Sequence, residues 1–331
     1  MRSMKPTNRI LSLCCLSALV SGVWAQEPSI ERLEAALDGL IAPDAVIENL
    51  GGGYQWVEGP VWDPAAGRLL FSDIPNNVIH AWHPDEGFRV FMKPAGFTGV
   101  AGYGREPGSN GLAFDAKQRL LLCEHGDRRV AVLTPGGGKM TVADRFEGKR
   151  LNSPNDLAVH SSGAVFFTDP IYGLPKGEND PARELDFCGV FRVDPDGAVH
   201  LVSKEIERPN GIALSPDEKT LYVANSHGPR PVIFSFPLDA AGKVAGEWKV
   251  FFDTKGLSGR GAPDGLKVDR AGNLWATGPG GLLVISPGGK LLGRVLTHRP
   301  TANVAFGGKD GEFVFLTASD RILRFPRKVA R

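Results

Sequence analysis

The chain has 331 residues, with 38 Lys and Arg against 37 Asp and Glu, for a formal net charge of +1. That balance excludes a nucleic-acid binder relying on a strongly basic surface. The 42 Gly and 25 Pro suit many short strands and turns. No apolar run of about 20 residues follows the N-terminal region, so no membrane span is expected in the mature chain.

Arg2, Lys5 and Arg9 precede an apolar stretch from Ile10 to Val20, and Val23-Trp24-Ala25 ends in a small residue before Gln26. Residues 1–25 therefore read as a signal peptide cleaved after Ala25, which predicts a periplasmic or secreted product. Cys14 and Cys15 lie too deep in the apolar stretch for lipid attachment. Residues 26–44 read as a helical linker, because Ile30, Leu33, Ala36, Leu37 and Leu40 fall at helical spacing. Ala45 to Leu50 is strand-like and opens the domain expected over 45–331.

From there one outline repeats: a turn with a polar residue, an apolar strand, a reversal, and a second apolar strand. Glu58-Gly59-Pro60-Val61-Trp62 leads to Leu69–Asp73, and Asn110-Gly111-Leu112 leads to Leu120–Glu124. Pro154-Asn155-Asp156-Leu157 leads to Val165–Asp169, and Asn210-Gly211-Ile212 leads to Leu221–Asn225. Asp264-Gly265-Leu266 leads to Leu274–Gly278, and Ala302-Asn303-Val304 leads to Val314–Ala318. Copies at intervals of roughly 40 to 55 residues mark an all-β, six-bladed β-propeller. Third strands follow at Val78–Trp82, Arg129–Leu133, Gly189–Val193, Val232–Phe236, Leu282–Ile285 and Arg321–Phe325. The last copy is short, so the N-terminal strand is expected to complete the sixth blade and leave no open edge. Two long connections, Phe97–Ser109 and Ile171–Asp186, interrupt the rhythm where substrate selection tends to sit. Cys123 and Cys188 remain after signal cleavage and are read as buried free thiols in preference to a disulfide.

In such a ring the starts of the innermost strands converge near the axis. The six converging positions are Glu58, Asn110, Asn155, Asn210, Asp264 and Ala302. Asn-Gly and Asp-Gly are ordinary turn dipeptides, yet five polar side chains in register, one of them a Glu that turns do not favour, ask for more. Carboxylates buried together must be protonated, neutralised or bound to a cation. Oxygen ligands suit a hard divalent ion such as Ca²⁺, Mg²⁺ or Mn²⁺. No Gly-x-Ser-x-Gly elbow supports serine-esterase chemistry.

The ordered set Glu58-Gly59-Pro60-Val61-Trp62, Ser153-Pro154-Asn155-Asp156, Arg208-Pro209-Asn210-Gly211 and Pro263-Asp264-Gly265 resembles the senescence-marker-protein-30/gluconolactonase family. The resemblance runs from about Glu58 to Thr317 and includes Cys123-Glu124-His125-Gly126 and Phe166–Gly173. It implies a six-bladed propeller that hydrolyses sugar lactones with one divalent metal, Ca²⁺ first, with Mg²⁺, Mn²⁺ or Zn²⁺ as alternatives. By position it implies Glu58, Asn155, Asn210 and Asp264 as metal ligands and Asp264 as general base. Asn110, His125 and Asn155 are then expected to bind substrate, with Asn110 and His125 at the channel mouth, and His125 is the alternative base. Some animal members carry an Arg where this chain has Ser153, which touches the choice of sugar and leaves the metal unaffected. Asp169 reads as a turn and hydrogen-bonding residue. The expected activity is that of an exported lactonase opening glucono-1,5-lactone to its aldonic acid, with no nucleic-acid or membrane partner. The alternatives are hydrolysis of organophosphates or other lactones on the same metal, or a non-catalytic binding propeller with a structural cation.

Overall fold

The computed structural model describes residues 26–329. Five four-stranded antiparallel sheets and one five-stranded sheet form the blades, and Arg145–Phe146 pairs with Lys149–Arg150 in a small separate ribbon. Blade 1 runs from Val57–Asp63 outward to Gly87–Met92, and blade 2 from Ser109–Phe114 to Lys139–Ala143. Blade 3 begins at Leu157–Val159, blade 4 at Pro209–Leu214, blade 5 at Leu266–Val268 and blade 6 at Asn303–Gly307. No helix among the described residues is long and apolar enough to cross a membrane.

The second strands explain why the blades pack. Leu120–Glu124, Val165–Asp169 and Leu274–Gly278 are buried along their whole length, because each is covered by the neighbouring blade on either face. They consequently read as near-continuous apolar runs. Each large apolar cluster then belongs to two adjacent blades. Leu121 and Val130 of blade 2 pack on Phe167 and Phe191 of blade 3, and Phe166 and Val190 of blade 3 pack on Phe234 and Phe236 of blade 4. The circuit closes where Val57, Phe71 and Trp82 of blade 1 meet Phe315 and Ile322 of blade 6.

Closure in sequence follows the same logic. Glu48–Gly52 pairs antiparallel with Arg321–Pro326, so the N-terminal strand completes the sixth blade, as expected from the short last copy. The helical linker expected over residues 26–44 is corrected by the structure. Ser29–Arg32 is a strand on the outer edge of blade 5, with Ser29 opposite Leu296, and only Ala35–Gly39 forms a short 3₁₀ turn. The exposed edge of Leu291–Leu296 offers unpaired backbone groups, and satisfying them outweighs the weak helical spacing of the segment. Leu37 and Ile41 still enter the core beneath blades 5 and 6. The signal-peptide reading lies outside the described residues.

Candidate active site

A local irregularity aims each hub side chain. In blades 1, 2 and 4 the inner ladder shifts register at the hub, between Glu58 and Val61, and across Asn110 and Asn210 between Ser109 and Leu112 and between Pro209 and Ile212. Such bulges bend the strand and turn a side chain off the sheet surface. In blades 3 and 5 the ladder starts only at Leu157 and Leu266, so Asn155 and Asp264 precede it. Gly59 adopts a left-handed φ of 51°, and a Cβ there would lie 2.0 Å from the Asn110 carbonyl oxygen. Only glycine lets the two blades approach so closely.

Hydroxyls on the second strands lock the hub from blade to blade. Ser72 Oγ donates to the Asn110 carbonyl at 2.8 Å, Thr168 Oγ1 to the Asn210 carbonyl at 2.7 Å, and Thr277 Oγ1 to the Ala302 carbonyl at 2.9 Å. Every acceptor is the backbone of a hub residue, so ring packing and side-chain aim are the same set of contacts.

Glu58, Asn110, Asn155, Asn210 and Asp264 all line one pocket of about 210 Å³, together with Trp56, Glu106, Tyr172 and Ser226. Three carboxylates face this space and no Lys or Arg does. Burial pushes Glu58 up from 4.5 to about 8, reinforced by the negative charge of Asp156 and Glu106 and opposed by the Gly59 N–H and the Asn303 amide. Asp264 is likewise held well above the usual carboxylate range, by burial first and then by Glu58, Asp156 and Glu106. Burial also raises Glu106 to about 7, against the pull of Arg105. Asp264 Oδ1 and Asn110 Oδ1 are shut from solvent and have no hydrogen-bond partner. Asn210 Nδ2 donates to Ser226 Oγ at 2.9 Å, and Ser226 Oγ donates to the Pro263 carbonyl at 2.6 Å. That chain turns the amide nitrogen of Asn210 away and leaves its oxygen free.

These residues fit a hard cation. The donors are all oxygen, two of them are orphaned, and the carboxylates repel one another with no basic side chain among the pocket's lining residues. No group of three His, Cys, Asp or Glu side chains suited to a metal occurs among the described residues, so an ion at the hub would need amide oxygens among its donors.

Residues 56–320 match the family described as SMP-30/Gluconolactonase/LRE-like region. The chain belongs to that family. This SMP-30/gluconolactonase chain is 39% identical over 310 residues to a gluconolactonase of Zymomonas mobilis subsp. mobilis, covering 90% of this chain and 86% of that one. It is 29% identical over 267 residues to pentonolactonase XacC of Haloferax volcanii, covering 79% and 81%. The solved structure of XC5397 from Xanthomonas campestris, described as a gluconolactonase, superposes with a TM-score of 0.79 at 32% identity, covering 91% and 95%. A regucalcin structure from Agrobacterium tumefaciens, described as calcium-binding, shares the fold at a TM-score of 0.67 and 21% identity, covering 86% and 96%.

Several expected roles in the SMP-30/gluconolactonase chain move once geometry is known. His125 does not stand at the channel mouth. It is 0% exposed behind Asn110, with Nε2 3.4 Å from Asn110 Nδ2 and Nδ1 3.6 Å from Glu106 Oε2. Burial drops its pKa to about 4, so it is neutral at pH 7, and it holds Asn110 from behind without facing the pocket. Ser153 is also buried, donating to the Pro170 carbonyl at 2.6 Å and accepting from Gly173 N–H at 3.0 Å. Asp169 accepts from the Asn152 and Ser153 N–H groups at 2.7 Å each and so shapes the turn that delivers Asn155. Asp73 and Asn225 do the same for Trp56 and Arg208 in their own blades.

The sixth slot is not the apolar gap that Ala302 suggests. One residue on, Asn303 Nδ2 donates to Asp156 Oδ2 at 3.3 Å across the axis. Four copies carry Gly at this second position, and Asp156 and Asn303 fill the space those glycines leave: a Cβ on Gly265 would lie 2.1 Å from Asn303 Cγ. Asp156 and Glu106 escaped the sequence reading. Asp156 was detectable as the acid standing where four other repeats have Gly, and Glu106 as the sole acid of the Phe97–Ser109 connection.

Proposed function

We propose that this chain is an exported, metal-dependent hydrolase of a sugar lactone of the glucono-1,5-lactone type, which it opens to the aldonic acid. The observation that carries the reading is the pocket itself: three carboxylates, three amides, no basic group, and unpaired Oδ1 atoms on Asp264 and Asn110. The gluconolactonase and pentonolactonase names of its relatives support the same substrate class.

Glu58, Asn155, Asn210 and Asp264 would hold one divalent ion, Ca²⁺ before Mg²⁺, Mn²⁺ or Zn²⁺. When bound, such an ion polarises an ester carbonyl and stabilises the oxygen charge that grows as water adds. With its carboxyl ionised beside such an ion, Asp264 would be the general base: its unpaired Oδ1 takes the proton of the attacking water and returns it to the ring oxygen as the ester C–O bond breaks. Asn110, held by His125, and Asn155 receive and orient ring hydroxyls, while Trp56 and Tyr172 wall the pocket against water. Ser226 keeps the Asn210 amide in one orientation.

The test is a pH-indicator assay over a panel of lactones, corrected for spontaneous opening, with and without chelator. Turnover of glucono-1,5-lactone should vanish in chelator, return with a divalent ion, and vanish permanently in Asp264→Asn. Chelator-resistant turnover, or a fully active Asp264→Asn protein, overturns the reading.

A further inference from the structure

The two long connections meet beside the reaction pocket and enclose a second cavity. Gly104 of the first lies against Pro175 of the second. Between them opens a space of about 390 Å³ into which Arg105, Lys176 and Arg208 project, one from each connection and one from the loop before the blade 4 inner strand. No Asp or Glu is among the residues lining it, and Ile171, Leu174 and Pro175 supply apolar walls. Tyr172 belongs to both cavities and is their common partition.

Three cations in one recess are not a by-product of composition, since the chain as a whole carries a formal net charge of only +1. Nor are two of them committed elsewhere: among the described residues the Arg105 and Lys176 side chains have no ion-pair partner, and only Arg208 has one. Arg208 is fixed by its own neighbours, donating Nη1 to the Glu207 carbonyl at 2.7 Å and pairing with the exposed Glu178. Arg105 and Lys176 are exposed side chains on aperiodic loops. The two cavities thus differ in chemistry, with Glu58, Glu106 and Asp264 and no basic side chain on one side of Tyr172, and Arg105, Lys176 and Arg208 and no carboxylate on the other. A substrate bearing a negative tail finds basic side chains only in the recess, which orients the tail there and leaves the ester end to the hub.

We propose that the recess ringed by Arg105, Lys176 and Arg208 is a subsite for an anionic substituent, and that the preferred substrates are sugar lactones carrying a phosphate, sulfonate or carboxylate remote from the ester carbonyl. The inference rests on the lactone-hydrolase reading and adds the substrate class. Arginine and lysine together give both the planar fork and the mobile point charge that recognise such groups.

The experiment compares kcat/KM of the metal-supplemented full chain for glucono-1,5-lactone, its 6-phosphate, its 6-sulfonate analogue and a glucaric acid lactone. At least one anionic lactone should exceed the neutral one by about tenfold, the effect of one charge-assisted hydrogen bond. The advantage should shrink with added salt. In Arg105→Ala/Lys176→Ala the ratio of anionic to neutral kcat/KM should collapse toward unity, and in Arg105→Lys/Lys176→Arg it should survive, with unchanged melting temperatures showing that both proteins are folded. The anion that gains most identifies the tail. Neutral lactone hydrolysed with no anionic advantage, or an advantage untouched by the double alanine variant, overturns the subsite and leaves the lactonase intact. Failure on every lactone, neutral included, removes the lactonase reading and the subsite with it.

Discussion

Glu58→Gln should make the chelator-treated protein more stable at alkaline pH while abolishing its turnover. Glu58 is 3% exposed, and its pKa rises from 4.5 to about 8. Each pKa unit is worth about 1.4 kcal/mol, so ionising this group inside the metal-free fold costs roughly 5 kcal/mol. The folded pKa lies above the unfolded one, so between pH 4.5 and 8 the fold holds a proton that the unfolded chain has released. Stability from this group is therefore intact below about pH 4.5 and lost as pH rises through 8. Gln has the same shape, accepts the Gly59 N–H that Glu58 now accepts at 2.9 Å, and does not titrate. Urea unfolding in chelator at pH 5, 6, 7 and 8 should give a steeper decline for the parent than for the variant, with the variant ahead at pH 8. Saturating divalent ion should reverse that order, because only the parent has the full ligand set. A variant less stable than the parent in chelator at pH 8 would refute the claim that Glu58 is held against its own charge.

Thr168→Val removes the hydroxyl that donates to the Asn210 carbonyl at 2.7 Å and accepts the Asp156 N–H at 3.1 Å, leaving both buried groups unpaired. It should cost about 1–3 kcal/mol in urea unfolding and lower turnover through Asn210; a loss below about 0.3 kcal/mol would contradict the inter-blade locks. Gly265→Ala places a methyl 2.1 Å from Asn303 Cγ and 2.6 Å from Asn303 Cα, so roughly 1–3 kcal/mol of destabilisation is expected, and wild-type stability would mean the glycine tier is not close-packed. Cys123 and Cys188 are both free and buried, and burial raises Cys188 to about 11 and Cys123 well above its ordinary value. Both should resist a thiol reagent in the native protein and react on unfolding without reductant, whereas a requirement for reductant would reveal a disulfide.

The propeller was legible because its second strands are apolar on both faces, a pattern that packed blades impose and loops do not. The hub was legible for a related reason: Glu58, Asn110, Asn155, Asn210 and Asp264 hold one register relative to those strands, and the structure gathers all five around one pocket. What escaped depended on partners remote in sequence. Ser29–Arg32 becomes a strand only because the edge of Leu291–Leu296 lies beside it. Asp156 looked like part of a turn until the axis set it against Asn303, 147 residues away. Glu106 sits on an aperiodic connection, where no repeat says which way a side chain points. His125 shows the converse, since its proximity to Asn110 was foreseeable but its burial behind that residue was not.

Crystals of the protein soaked in Mn²⁺ offer the most direct measurement, through the anomalous scattering of the ion. The account predicts one dominant peak in the pocket, within ligand distance of Glu58, Asn155, Asn210 and Asp264, that disappears in Glu58→Gln together with lactone turnover. A peak elsewhere, or a fully active enzyme with no peak in that pocket, would contradict it.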